Sequence, residues 1–129
     1  MIERLTERWQ NEVTEQERAV AAGTLAPDEA YAARAWPPDF LAAVDTRLST
    51  FERDVAALAP DVPDQAVWAA VERVVRALND VQTQIDTLTR EELCEYIDNV
   101  LTTAGIDVQQ LTARRHLDPT ELTDQWRDF

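Results

Sequence analysis

The side chains most able to carry chemistry are carboxylates, and they are densest on one predicted helix. Glu92, Glu95 and Asp98 recur every three residues, and Glu121 with Asp124 repeats this spacing further along the chain. Residues three or four apart share one face of a helix, so each group presents its carboxylates together. Such a cluster can supply oxygen ligands to a divalent cation or a negative surface to a basic partner.

The order of these acids resembles the pattern of the all-α nucleotide pyrophosphohydrolases, in which E-E-x-x-E is followed later by E-x-x-D. In that family, carboxylates from neighbouring helices hold Mg²⁺, and a phosphate-bearing substrate completes its octahedral shell. The resemblance implies a Mg²⁺-dependent nucleotide hydrolase whose metal ligands are Glu92, Glu95, Glu121 and Asp124. It covers only about four to eight positions, and no lysine or well-placed pair of arginines follows to bind the phosphates.

The overall charge favours a different function. The chain carries 25 acidic and 12 basic residues, a net charge of −13, and every basic residue is arginine. Direct nucleic-acid binding is disfavoured because phosphates require a basic surface. A negative surface instead attracts basic proteins and accelerates their encounter. We therefore expect an acidic protein-interaction module, of the inhibitor or immunity type, that binds a basic partner such as a toxin or nuclease.

The residues predicted to contact this partner combine charge with aromatic area. Trp9 lies on a helix whose apolar stripe is interrupted, and Trp36 lies in a loop beside two prolines. Tryptophan is enriched among the residues that dominate interfaces. The predicted contact set is Glu91, Glu92, Glu95, Asp98, Trp9 and Trp36. Two alternatives stay open: the indoles cover the ends of the bundle, or the first helix mediates self-association in a homo-oligomeric scaffold.

Cys94 and His116 are the only cysteine and histidine. An intrachain disulfide and a cysteine-rich zinc site are therefore excluded. A Cys-His nucleophile would also need an oxyanion hole, and the sequence has no glycine-rich turn to build one. We predict that Cys94 is a small core residue and that His116 is a capping or surface residue. The sequence implies no cofactor.

Helices must position all of these residues. With 2 glycines and 6 prolines, the chain lacks the turn residues that an all-β protein of 129 residues needs. Apolar residues spaced three and four apart predict one long helix over about 39–58 and a second over 64–88. A tight turn between them favours an antiparallel hairpin. Trp68 and Val75 form a second stripe beside the seam, which predicts that the later helix is central.

Shorter helices are predicted on either side of the hairpin. Gly23 and Gly105 mark two helix ends, and Thr89 with Glu92 has the spacing of a capping box. We predict one all-α domain over residues 1–129, a bundle of five to seven helices. The predicted flanking helices are 2–22, 28–35, one from Thr89 to Gly105, 107–115 and 118–128.

Three stretches of the C-terminal half, 90–98, 105–107 and 123–129, are similar to small acidic bacterial helical proteins that have no assigned activity. The similarity covers about 40 residues and carries over no functional residue. The first residues lack the basic and then apolar pattern of a signal peptide. No window approaches the ~20 apolar residues of a membrane span. We therefore expect a cytoplasmic protein that does not bind membranes.

Overall fold

A computed structural model describes residues 3–129, and this part of the chain is all-helical, as predicted, with six α-helices and no strand. Four of the helices are long, and three short 3₁₀ turns lie between or after them. No helix within 3–129 combines the length and apolar character needed to cross a membrane. The helices are α1 (Leu5–Ala21), α2 (Ala32–Ala35), α3 (Pro38–Ala56), α4 (Asp64–Asn79), α5 (Thr87–Thr103) and α6 (Val108–Ala113).

The antiparallel hairpin is confirmed as the pairing of α3 with α4. Arg47 Nε donates to the carbonyl oxygen of Ala77 at 2.7 Å, and Arg73 Nε donates to Asp54 Oδ2 at 3.1 Å. Later positions on α3 thus face earlier positions on α4, which defines antiparallel helices. The predicted seam residues are buried from Val44 to Val55 on one helix and from Val67 to Leu78 on the other.

The prediction that the second hairpin helix extends to residue 88 is wrong. Helix α4 ends at Asn79, a 3₁₀ turn follows at Gln82–Gln84, and the side chain of Leu88 is 50 % exposed. The side chain of Asp86 accepts a hydrogen bond from the backbone N–H of Thr89 at 2.8 Å, which begins a new helix instead. Val81 and Ile85 still pack against the core, so the apolar spacing reflects burial there rather than helical backbone.

The same contact corrects the predicted start of α5. Asp86 is the N-cap, whereas Thr89 lies inside the helix with its hydroxyl accepting from Trp36 Nε1 at 3.1 Å. The predicted helix 118–128 is also shorter than expected, because only Pro119–Glu121 forms a 3₁₀ turn. Asp118 and Glu121 form a capping box at the start of this turn.

Two predicted helix ends are confirmed, each at a glycine with a left-handed backbone. Gly23 has φ 76° after α1, and Gly105 has φ 90° after α5. His116 adopts φ 60° just beyond α6 with its side chain exposed, in agreement with its predicted place at a helix end. Residues 28–35 form a 3₁₀ turn and the short α2 rather than one helix.

One hydrophobic cluster extends from Leu5 on α1 to Leu122 near the C-terminus. Trp68 and Val75 are buried on α4, as predicted, and α4 contributes more buried residues than any neighbouring helix within 3–129. Trp126 packs beside Trp68 with ring centroids 6.0 Å apart, and Arg115 covers the same indole at 4.3 Å. Residue 2, the predicted start of the first helix, lies outside the described residues.

The C-terminal segment is held against the end of α4 by one side chain. Asn79 Nδ2 donates to the carbonyl oxygen of Trp126 at 2.8 Å, and Asn79 Oδ1 accepts from the backbone N–H of Asp128 at 2.9 Å. Both polar groups of the amide are used, which fixes the direction of residues 126–128. Residues 119–125, which precede this contact, lie alongside α5.

Candidate functional site

A groove of about 770 Å³ lies between α5 and the C-terminal segment. Six of its residues come from two and a half turns of α5, and the other wall is formed by the 3₁₀ turn and the residues after it. Its depth comes from Leu122 and Thr123, which are buried and attach the segment to the core. The lining residues are Arg90, Glu91, Cys94, Glu95, Asp98, Asn99, Pro119, Thr120, Leu122, Thr123 and Arg127.

Three of the four carboxylates predicted to bind a partner line this groove. Glu91 and Glu95 are exposed and Asp98 is half-buried. Asp98 accepts a hydrogen bond from Thr102 Oγ1 at 3.1 Å, and no ion pair involves any of the three within residues 3–129. Their negative charge is therefore available to a partner.

Glu92 does not belong to this surface, which corrects its predicted role. Its Oε2 accepts from Trp9 Nε1 at 2.5 Å, and its Oε1 lies 3.6 Å from Arg8 Nη2. One step along an α-helix rotates the side chain by about 100°, so Glu92 faces α1 while Glu91 faces the groove. Its carboxylate satisfies a buried indole and contributes to folding.

The prediction that Trp9 and Trp36 contact a partner is also wrong for the folded protein. They are 0 % and 1 % exposed, and their rings stack 5.0 Å apart at an interplanar angle of 10°. Both indole N–H groups have internal partners, Glu92 and Thr89. Sequence alone suggested exposure because polar residues interrupt the stripe of α1, but α2 and α5 cover that side of the helix.

The floor of the groove contains a group of residues that the sequence reasoning missed. Arg127 Nη1 lies 3.1 Å from Cys94 Sγ, and the hydroxyl of Thr123 lies 3.4 Å from the same sulfur. Arg127 Nη2 also forms an ion pair with Asp124 Oδ1 at 3.1 Å. The positive charge of Arg127 is therefore largely neutralised by Asp124, which is not part of the carboxylate row. Helical spacing could have placed Cys94 beside Glu91 and Asp98, whereas nothing local indicated Arg127. The prediction of Cys94 as a core residue needs revision, because it is half-buried at the groove.

The four residues implied as Mg²⁺ ligands do not converge, so that expectation is wrong. Glu121 Oε1 accepts from the backbone N–H of Asp118 at 2.9 Å, and Asp124 pairs with Arg127. Glu92 is turned toward Trp9, away from Glu95. From residue 3 to residue 129, no three or more His, Cys, Asp or Glu side chains gather in a way that could hold a metal ion.

A second charged cluster lies away from the groove and joins three helices. The carboxylate of Glu52 accepts from Arg4 Nε at 2.9 Å and Nη2 at 3.0 Å, and also from Tyr96 Oη at 3.0 Å. Asp45 accepts from Arg4 at 3.3 Å and from the hydroxyl of Thr6 at 2.6 Å. The hydrogen bonds to Glu52 raise the pKa of Arg4. Each charged side chain of this cluster takes part in hydrogen bonds within it, so the cluster ties α1 and α5 to α3 rather than forming a reactive site.

This cluster leads to a prediction about tyrosine ionisation. Burial and, to a smaller extent, the hydrogen bond to Glu52 raise the pKa of Tyr96 above its ordinary value of 10.0. Outside this cluster, the hydrogen bond that Tyr31 donates to Glu12 raises the pKa of Tyr31. The folded state therefore holds these protons more tightly than the unfolded state, and stability decreases as the pH rises above 10. Tyrosinate absorbance should show both tyrosines titrating above 10 in the native protein and near 10 in denaturant. A native tyrosine ionising at or below 10 contradicts this expectation.

The fold and the groove together define an all-α bundle with an acidic row on its fifth helix. Comparison of the chain with protein-family models, with curated proteins and with solved structures finds no match.

Proposed function

We propose that the protein is an acidic interaction module that binds a basic protein through the groove beside α5. The observation that carries the proposal is the row of Glu91, Glu95 and Asp98, which share one groove wall and have no ion-pair partner in the described part of the chain. The net charge of −13 adds long-range attraction for basic partners. An inhibitor or immunity role against a basic toxin or nuclease is the specific form that we propose.

The apolar lining of the groove supports binding of long basic side chains. Pro119 and Leu122 give part of the groove an apolar surface against which the hydrocarbon stems of arginine or lysine can pack. Arg90 marks one end of the row and Arg127 is already paired with Asp124. The middle of the groove is therefore the region best suited to cationic groups.

The proposal predicts that removing the three charges weakens partner binding. Exposed ion pairs each contribute about 0.2–1 kcal/mol, so the variant Glu91→Gln/Glu95→Gln/Asp98→Asn should bind about 3- to 150-fold more weakly at low salt. The loss should lie chiefly in the association rate and shrink as salt screens the charges. Affinity capture from a lysate of the source cells at low salt, followed by a salt step, gives the partner, and surface plasmon resonance then measures both rates.

A matched variant separates the groove from overall charge. Glu15→Gln/Glu17→Gln/Asp61→Asn removes the same charge from exposed positions outside the groove that take part in no ion pair within 3–129. The partner should be retained by the wild type and by this control and lost by the groove variant. Equal loss in both variants, or no basic protein retained by the wild type, contradicts the proposal.

Self-association through α1 stays a prediction with little support from the packing. Three apolar residues of that helix, Leu5, Trp9 and Val13, are buried inside the same chain.

A further inference from the structure

We propose that residues 124–129 form a strap that opens separately from the helical bundle, with Asn79 as its latch. The strap contains no helix or strand and consists of turns followed by irregular chain. Leu122 and Thr123 are buried and anchor the chain just before it. The strap supplies Arg127 to one wall of the groove. Its opening does not depend on the proposed function, and only the effect of opening on partner binding does.

The latch is a single side chain at the end of α4. Asn79 Nδ2 donates to the carbonyl oxygen of Trp126, and Asn79 Oδ1 accepts from the backbone N–H of Asp128. Within residues 3–129, the other side-chain hydrogen bond from the strap to a helix joins Arg127 Nη1 to Cys94 Sγ, and sulfur is a weak acceptor. Removing the amide of Asn79 therefore removes both of the stronger hydrogen bonds that hold the strap.

The closed strap leaves one polar group of the core without a partner. Trp126 packs beside Trp68 with ring centroids 6.0 Å apart, and the side chain of Trp68 is 2 % exposed. The buried Nε1 of Trp68 has no hydrogen-bond partner in the described part of the chain. An indole N–H shielded from water without an acceptor is destabilised, and opening of the strap returns this group to water. The closed state therefore gains packing at a cost that favours a minor open population.

Opening changes the groove because part of one wall belongs to the strap. Arg127 lines the closed groove and leaves it when the strap opens, together with its ion-pair partner Asp124. The wall that includes Arg127 is complete only in the closed state. A partner that binds against this wall therefore shifts the population toward the closed strap, and this consequence rests on the proposed function.

Hydrogen exchange of the indole N–H groups tests the latch in the full chain without any partner. The Trp68 indole packs against the strap, whereas the indoles of Trp9 and Trp36 are buried and donate to acceptors outside it. Asn79→Ala removes the latch. Asn99→Ala is the matched control, because Asn99 is an exposed helical asparagine whose side chain forms no hydrogen bond within residues 3–129. Two-dimensional ¹H–¹⁵N spectra recorded after transfer to D₂O give the exchange rate of each indole.

In the wild type, the Trp68 indole should exchange about tenfold faster than the other two, because the strap opens more often than the bundle unfolds. Asn79→Ala should accelerate Trp68 exchange about a further tenfold through the loss of two hydrogen bonds. The rates of Trp9 and Trp36 should change by no more than about twofold, as expected for local opening. Asn99→Ala should leave all three rates as in the wild type.

Three results overturn the inference. A common exchange rate for all three indoles in the wild type shows that the strap opens only when the whole chain unfolds. Equal acceleration of all three by Asn79→Ala shows that Asn79 stabilises the bundle in general. An unchanged Trp68 rate in Asn79→Ala, or the same acceleration in Asn99→Ala, shows that Asn79 is not a latch. Because no partner is present, each of these results leaves the proposed function to its own capture experiment.

Discussion

Replacing Trp9 with alanine is expected to lower the free energy of unfolding by about 4 kcal/mol, within the range for deletion of a buried aromatic side chain. The indole is fully buried, stacks on Trp36 at 5.0 Å and lies 6.2 Å from the ring of Phe40. The substitution removes this packing and leaves Glu92 without the indole donor. Urea denaturation followed by far-ultraviolet circular dichroism gives the change in free energy.

Two variants separate the contributions to that loss. Trp126→Ala makes the same chemical change at a half-buried position and should cost less than half as much. Trp9→Phe keeps an aromatic ring but removes the N–H donor, so we expect an intermediate loss of about 1–3 kcal/mol. A Trp9→Ala variant no less stable than Trp126→Ala would show that the aromatic stack does not hold α1 in place.

The second large effect is expected in the hairpin. Leu48 is 0 % exposed on α3, and Leu48→Ala should lower the free energy of unfolding by about 3 kcal/mol through lost burial and the cavity left behind. Partial collapse of the surrounding side chains decides where the value falls between about 2 and 5 kcal/mol. The same denaturation experiment measures it.

Leu88→Ala is the matched control, because it makes an identical change at a leucine that is half exposed. It should change the free energy of unfolding by no more than about 0.5 kcal/mol. This pair of variants also tests the corrected end of α4. Had residues 80–88 continued the buried helical seam, the two leucines would have similar costs, and similar measured costs would contradict the described fold.

The sequence was most informative where one face of a long helix is buried against another. The spacing from Leu41 to Val55 allowed only one helical register, and the structure follows it. The same reasoning failed beyond Asn79, because a 3₁₀ turn can bury Val81 and Ile85 at positions that also fit a helix. Apolar spacing reports which residues are buried, and only the cap of Asp86 reveals where the backbone changes.

Part of the candidate site could be derived by counting helical angles more strictly. At about 100° per residue, Glu91, Glu95 and Asp98 fall within about 60° of one another, whereas adding Glu92 widens that spread to about 120°. The sequence therefore contained the information that separates Glu92 from the row. The other wall of the groove, formed by the C-terminal segment, could not be predicted from helical geometry. Its Arg127 contacts Cys94 through tertiary packing between residues 33 positions apart.

The tryptophans illustrate the limit set by distant contacts. Trp68 was predicted to be buried from its own helix, and it is. The burial of Trp9 depends on Trp36 and on Glu92, which lies 83 positions away, so no local pattern could indicate it.

The range of these separations also bears on the order of folding events. The hairpin joins α3 to α4 across a loop of a few residues, as in the contact of Arg73 with Asp54, only 19 positions apart. The Trp9 contact with Glu92 instead closes 83 positions and carries a larger loop-closure entropy. We therefore expect the hairpin to be formed in the folding transition state and the docking of α1 to come later. Changes at Leu48 should then slow folding, whereas changes at Trp9 should mainly accelerate unfolding.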